Sequence, residues 1–197
     1  MHVVKIEPIT LEGTHVRLET MRADHADALI AAGCGFGLFR WFPMSMEQPD
    51  AMRAYVAHCL ARIAEARELA FVTVERATGR VVGSTCYLAI EPAHKRLEIG
   101  ATWITPSYQR SAVNTEAKLL QLTHCFEGLG CNRVEFKTDE RNEQSRTALA
   151  RIGAKEEGRF RAHMVMPDGS LRTSVYFSVI ASEWPAVKRG LEAKLRA

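Results

Sequence analysis

The residues best placed to do chemistry run from Tyr108 to Leu120, YQRSAVNTEAKLL, directly after the strand-like stretch LEIGATWITP. A helix that starts there offers unpaired backbone N–H groups and about half a positive charge, which suits a phosphate or pyrophosphate. The turn contains no glycine, the residue that lets a backbone approach an anion closely. Ser111, Ala112 and Asn114 are the least obstructive alternatives, since Ser adds a hydroxyl donor and Asn tolerates the left-handed region. Arg110 and Lys118 place positive charge at both ends of the turn. The same letters also fit a plain helix start, with Asn114 or Thr115 as cap and Glu116 in the first turn. On this segment alone both readings stay open.

The elements that must position this turn follow from periodicity and punctuation. Val16–Met21 alternates as a strand, and RADHADALIAAG has helical spacing and ends on Gly33 as C-cap. An aromatic connection, GFGLFRWFPMSMEQ, leads into the long helix DAMRAYVAHCLARIAEARE, with Asp50 as its cap. Two strands follow around a Thr78-Gly79 turn, and then a strand that ends at Pro106. A helix over Asn114–Glu127, a strand from Arg133, a short helix capped by Asn142 and stopped by Gly153, a hairpin around Pro167-Asp168-Gly169 and a terminal helix complete the chain. This order predicts a single α+β domain over 1–197 with a mixed, mostly antiparallel sheet. Its one parallel crossover is Leu97–Ile104, Asn114–Glu127 and Arg133–Lys137, right-handed, with ligands expected beyond the carboxyl ends of its strands.

Composition narrows the function classes. Hydrophobic residues make up 47% of the 197 and charged residues 25%, values of a soluble domain with one core. The net charge of +3 is spread along the chain with no basic stripe, which argues against a nucleic-acid partner. No apolar run reaches the roughly 18–20 residues of a membrane span, and MHVVKIEPITLEG does not read as a signal peptide. Cys34, Cys59, Cys86, Cys125 and Cys131 form no CxxC pair and sit in apolar segments. They read as core filler in a reducing cytoplasm, with neither a disulfide framework nor a metal site.

The order of elements, together with LEIGATWITPSYQRSAVNTEAKLL and TDERNEQSRTALARIGAKEEGRFRAH, resembles the GNAT superfamily of acyl-CoA N-acyltransferases. It is most similar to the branch that contains the ribosomal-protein alanine N-acetyltransferases. The likeness extends from LEGTHVRLETMRADHADAL to SVIASEW, nearly the whole chain. The family's pyrophosphate pattern Q-x-x-G-x-G/A falls on Gln109-Arg110-Ser111-Ala112-Val113-Asn114, with both glycine positions replaced. A second pattern, N-x-x-S before a helix that ends in Gly, is intact as Asn142-Glu143-Gln144-Ser145 and Ile152-Gly153.

The resemblance implies a three-layer fold whose central strands splay, with helices on both faces. Acetyl-CoA would then lie in the gap, its pantetheine arm paired like an added strand with the main chain of Thr102, Trp103 and Ile104. Lys137, Thr138 and Asn142 would face it from the other side, and Gln109 through Thr115 would hold the pyrophosphate. The implied reaction is direct attack of an amine on the thioester carbon. Amines are protonated at neutral pH, with reference pKa values near ~8 or ~10.4, so a base must assist. A backbone N–H near Trp103 would face the developing oxyanion. Ser145 matches the family's proton donor to the thiolate and Glu157 its general base, while Glu98, on the strand lining the cleft, is the rival base. His163 and Tyr176, on the final hairpin, are further candidates.

The acceptor expected from this likeness is a primary amine, on a protein N-terminus or on a small molecule. Phe36–Phe42 (FGLFRWF) would wall the acceptor pocket or pack in the core or a homodimer contact. The competing class is a catalytically silent CoA-binding sensor or scaffold, suggested by the replaced glycines.

Overall fold

The computed structural model describes residues 5–196. The strands are β1 (Thr10–Glu12), β2 (Val16–Thr20), β3 (Leu69–Glu75), β4 (Val81–Glu91), β5 (Arg96–Ile104), β6 (Arg133–Asp139), β7 (Lys155–Val165) and β8 (Leu171–Ile180). The helices are α1 (Ala26–Gly33), α2 (Pro49–Ala64), α3 (Ala112–Thr123), α4 (Glu143–Arg151) and α5 (Trp184–Arg196). The eight strands form one sheet in the order β1-β2-β3-β4-β5-β6-β8-β7. Every neighbouring pair is antiparallel except β5–β6, which is the predicted crossover.

Helices cover both faces, so the central strands carry apolar side chains on both sides. β3, LAFVTVE, is buried at every position but its last. One core joins Leu18, Phe71, Leu97, Ile99, Val134 and Phe136 to α3 and α5 through Leu122 and Leu191. The other joins Val72, Val74 and Trp103 to α1 and α2 through Leu29, Met52 and Val56. Each such side chain contributes roughly 1.5–3 kcal/mol of transfer free energy, and the two layers hold the sheet between them.

Local signals set most boundaries, with corrections. β1 went unread because a three-residue strand has too few positions to show a period. A 3-10 turn, Ala23–His25, precedes α1. α2 is capped by Gln48 rather than Asp50; Pro49 takes the first helical position and Asp50 complements the helix dipole from the first turn. α3 is shifted from the expected Asn114–Glu127. Ser111 caps it by accepting from the Val113 N–H at 3.3 Å, and a π-helical turn, His124–Gly128, closes it. Asn114 and Thr115 therefore lie inside the helix and do not cap it. α4 begins as read, its Asn142 Oδ1 accepting from the Ser145 N–H at 3.0 Å, and it stops at Gly153 with φ +94°.

Candidate active site

β5 and β6 pair only at Arg96–Arg133, Leu97–Val134 and Glu98–Glu135. Beyond Glu98 the strands part, and the rim of β5 from Gly100 to Ile104 faces a gap. On the β4 side, Ser84 pairs with Trp103 and Cys86 with Gly100, so Thr85 alone opposes both Ala101 and Thr102. This is a β-bulge, with Ala101 at φ +47°, and it bends β5 where the gap begins.

The gap opens onto the N-termini of α3 and α4, and Gln109 ties the two together. Its Nε2 donates to the Ile104 carbonyl at 3.0 Å and its Oε1 accepts from Gln144 Nε2 at 3.0 Å. The left-handed residue of the turn is Arg110, with φ +57°, not Asn114. The turn thus adopts a conformation ordinarily left to glycine without having one. Ser111 and Ala112 lie at the helix start with Arg110, and Asn114 Oδ1 is buried with no hydrogen-bond partner among the described residues. Val113 and Thr115 point into the protein, Val113 into the core and Thr115 to Arg151, whose guanidinium donates to it at 2.9 Å. An anion there would meet main-chain N–H groups, Arg110 and the positive end of a 12-residue helix, so the residues present fit a pyrophosphate.

Lys118 is not part of the turn. It is buried, and its Nζ donates to Thr102 Oγ1, Gln121 Oε1 and Thr85 Oγ1. Glu116, expected in the first turn of a plain helix start, is buried too and accepts from the N–H groups of Thr14, His15 and Val16. Glu116 is claimed wholly, and Lys118 through Thr85 and Thr102, by partners remote in the chain. Thr102 accordingly presents its main chain to the gap while its hydroxyl faces Lys118. Trp103 and Ile104 likewise bury their side chains, Trp103 edge-on against Phe39 at 5.5 Å.

On the α1–α2 side of the sheet the gap is bordered by charge. Glu98 is 5% exposed and 3.2 Å from Lys137 Nζ; burial pushes its carboxyl up, and the nearby ammonium opposes that. Lys137 also lies over the Tyr176 ring. His163 shares a 2.9 Å hydrogen bond with Ser174, and desolvation with nearby Lys137 and Arg172 lowers its pKa. Thr138 is buried at the end of β6, and Asn142 caps α4 with its oxygen. Ser145 follows on the first turn of α4, half-buried. Glu157 lies on β7, the far edge of the sheet, where Arg133 grips its carboxylate through both terminal nitrogens and Ser178 donates to it at 2.8 Å. The Arg133 hydrogen bonds hold that carboxyl below the usual carboxylate range.

Sequence reading missed two buried side chains at this border. Asp139 is fully buried and binds the Arg141 guanidinium and N–H, while Arg172 is buried and donates to Ser174 and the Trp41 carbonyl. No local signal marks them, since an Asp at a strand end and an Arg in a hairpin are ordinary surface residues. In the FGLFRWF segment Phe39 joins the core and, with Arg40, Trp41 and Phe42, also lines an open cleft of about 390 Å³ bordered by Arg141, Met166 and Asp168.

Comparison with known proteins bears on the family and the fold. The acetyltransferase (GNAT) domain family matches residues 15–155. An uncharacterized N-acetyltransferase of Bacillus subtilis, YoaA, is 25% identical over 167 residues, covering 84% of this chain and 94% of that protein. The crystal structure of a GCN5-related N-acetyltransferase from Brucella melitensis superposes with a TM-score of 0.90 at 33% identity, over 97% of this chain and 87% of that one. Mycobacterium smegmatis RimJ, solved in complex with CoA-disulfide, shares the fold with a TM-score of 0.82 at 24% identity, over 98% of this chain and 97% of that one.

Proposed function

The chain belongs to the GNAT acetyltransferases, and from that premise we propose that it moves an acetyl group from acetyl-CoA to a primary amine in a ternary complex. The observation that carries this reading is the parting of β5 from β6 onto the start of α3, with Gln109 bonded to the end of β5 and to the first turn of α4. Bound acetyl-CoA supplies the activated acyl group as a thioester. The N–H groups and side chains from Gln109 to Thr115 hold the pyrophosphate, aided by the Arg110 guanidinium. The main chain of Thr102–Ile104, that of Lys137–Thr138 and the Asn142 amide take the pantetheine amides. That RimJ, alike in fold, was solved with CoA-disulfide supports CoA as the ligand of this reading.

Glu98 is the base of this proposal. Its buried carboxyl, with its raised proton affinity, takes the proton that the attacking amine loses. Glu157 is engaged by Arg133 and Ser178, which favours Glu98 of the two. As the C–N bond forms, a backbone N–H on the Trp103 side of the gap faces the negative charge that develops on the acyl oxygen. As the C–S bond breaks, Ser145 donates a proton to the thiolate and regains one from solvent.

The acceptor enters past Trp41 and Phe42, and the aromatic walls of the 390 Å³ cleft suit either a peptide N-terminus or a small amine. All five cysteines are free thiols, which supports a reducing compartment such as the cytoplasm. Phe36 and Met44, both exposed on the α1–α2 connection, are consistent with a second copy of the chain docking there.

Thermal unfolding with CoA, with adenosine as control, tests the donor site. A ligand at ~100 times its Kd adds about 2.7 kcal/mol, a shift of several degrees. Release of free thiol from acetyl-CoA with a panel of amines then tests catalysis. No shift at millimolar CoA would refute the donor assignment, and binding without turnover on any amine would leave the silent scaffold.

A further inference from the structure

We infer that Lys118 is a positioning residue for the donor: from beneath the sheet it clamps the Ala101–Thr102 bulge and so sets the rim of β5 that receives the pantetheine arm. The inference rests on the acetyl-CoA reading above.

Lys118 is 4% exposed, yet no carboxylate lies in ion-pair reach of it among the described residues. Its Nζ meets Thr102 Oγ1 at 2.9 Å, Gln121 Oε1 at 3.0 Å and Thr85 Oγ1 at 3.3 Å. An ammonium has three donors, and here all three end on neutral oxygens. A buried charge without a counter-charge costs free energy that a Leu or Met in the same space would not. Stability therefore does not explain a lysine here, and its contacts point to another reason.

Those contacts converge on the bulge. Thr85 is the one β4 residue that faces the extra residue of β5, and its hydroxyl bonds that of Thr102 at 2.7 Å. Nζ bonds both hydroxyls and joins them to α3 through Gln121. Ala101 holds a left-handed φ that a non-glycine residue keeps only when its surroundings impose it. The clamp supplies that imposition three positions beyond Glu98, the last residue of β5 paired with β6. Lys118 also links the two parts of the donor site, because the same helix starts at the pyrophosphate turn.

Burial lowers the Lys118 pKa to about 7, against the opposing influence of the Cys86 thiol of β4 and the Cys125 thiol of the π-turn. Tyr87 and His124 stand next along the same layer, where the Tyr87 hydroxyl donates to the Gln121 carbonyl at 3.0 Å. The bulge keeps its clamp in either protonation state, since a neutral amine still donates twice and can accept from a threonine hydroxyl.

The test compares acetyl-CoA with 3′-phosphoadenosine 5′-diphosphate, which has the pyrophosphate but no pantetheine, by calorimetric titration. Lys118→Met and Thr102→Val are expected to weaken acetyl-CoA about tenfold, the loss of one or two hydrogen bonds. Both should bind the nucleotide within about twofold of wild type, and Thr102→Ser should retain both affinities. Unchanged acetyl-CoA affinity in Lys118→Met, or equal loss of the two ligands, would overturn the inference. Should Lys118→Met fail to fold, Thr102→Val against Thr102→Ser decides the question in the same way. A wild type that binds neither ligand would instead refute the donor reading and take the inference with it.

Discussion

The region around Glu98 and the region around Glu157 hold the same functional group in opposite surroundings. Glu98 lies where two strands part, dry, with a single ammonium beside it. Glu157 lies on the edge strand, gripped by Arg133 and Ser178 and partly open to solvent. Burial raises the proton affinity of the first, and charge-assisted hydrogen bonds lower that of the second. What suits a carboxylate to proton transfer is its environment, and neither environment is visible in its sequence neighbours.

The largest expected effect separates the two directly. Glu98→Gln should lower kcat by about 10²–10⁴, the usual contribution of a general base, with acetyl-CoA affinity retained. Glu157→Gln should keep kcat within about threefold in the same steady-state assay. The reverse ranking would move the base to the edge strand and break the comparison.

A pH profile sharpens it. A base works deprotonated, so kcat at saturating amine should rise with pH, with a midpoint above the ordinary Glu value of about 4.3. Glu157→Gln should preserve that limb and Glu98→Gln should abolish it. A limb that survives in Glu98→Gln belongs to another group.

Lys118 extends the comparison to a buried cation. Its folded pKa of about 7 lies below an unfolded value near ~10.4, so between these the unfolded chain binds more protons and stability rises with pH. Lys118→Met lacks this term. Its Tm should exceed that of wild type by several degrees near pH 7, and the gap should narrow toward pH 9. A gap that is constant from pH 6 to 9 would mean that the amine does not titrate in that window.

The smallest effect belongs to the exposed pair. Arg133–Glu157 should contribute about 0–1 kcal/mol, as partly solvated ion pairs do. Because the folded pKa of Glu157 is depressed, its contribution is present above the unfolded pKa and is lost as pH falls through the folded one. Urea unfolding of wild type and Glu157→Gln should differ slightly at pH 7 and converge under acid. A large difference at pH 7 would make Glu157 a structural anchor.

Features set within a few residues were legible from the letters. The strand–helix–strand crossover, the Asn142 cap, the Gly153 stop and the Pro167-Asp168-Gly169 hairpin each follow from periodicity or from one residue's backbone preference. So did the position of the candidate donor site, because a crossover puts a helix N-terminus beyond the ends of its strands. The replaced glycines were harder to judge. Arg110 takes the left-handed turn itself, a conformation that the composition of the loop does not announce.

The fates of the charged side chains were settled by tertiary partners. Glu116 is held by backbone N–H groups about a hundred positions away, Lys118 by two strands of the sheet, and Glu157 by a residue of another strand. A charge can be read as surface or as site only when its partners are known. By itself the sequence determined the order of every strand and helix but β1 and the place of the crossover turn, because hydrogen-bond periodicity and capping are local. Which carboxylate is dry, which lysine lies under the bulge and where β5 leaves β6 were decided by the packed structure, because desolvation and ion pairing depend on groups that only folding brings together.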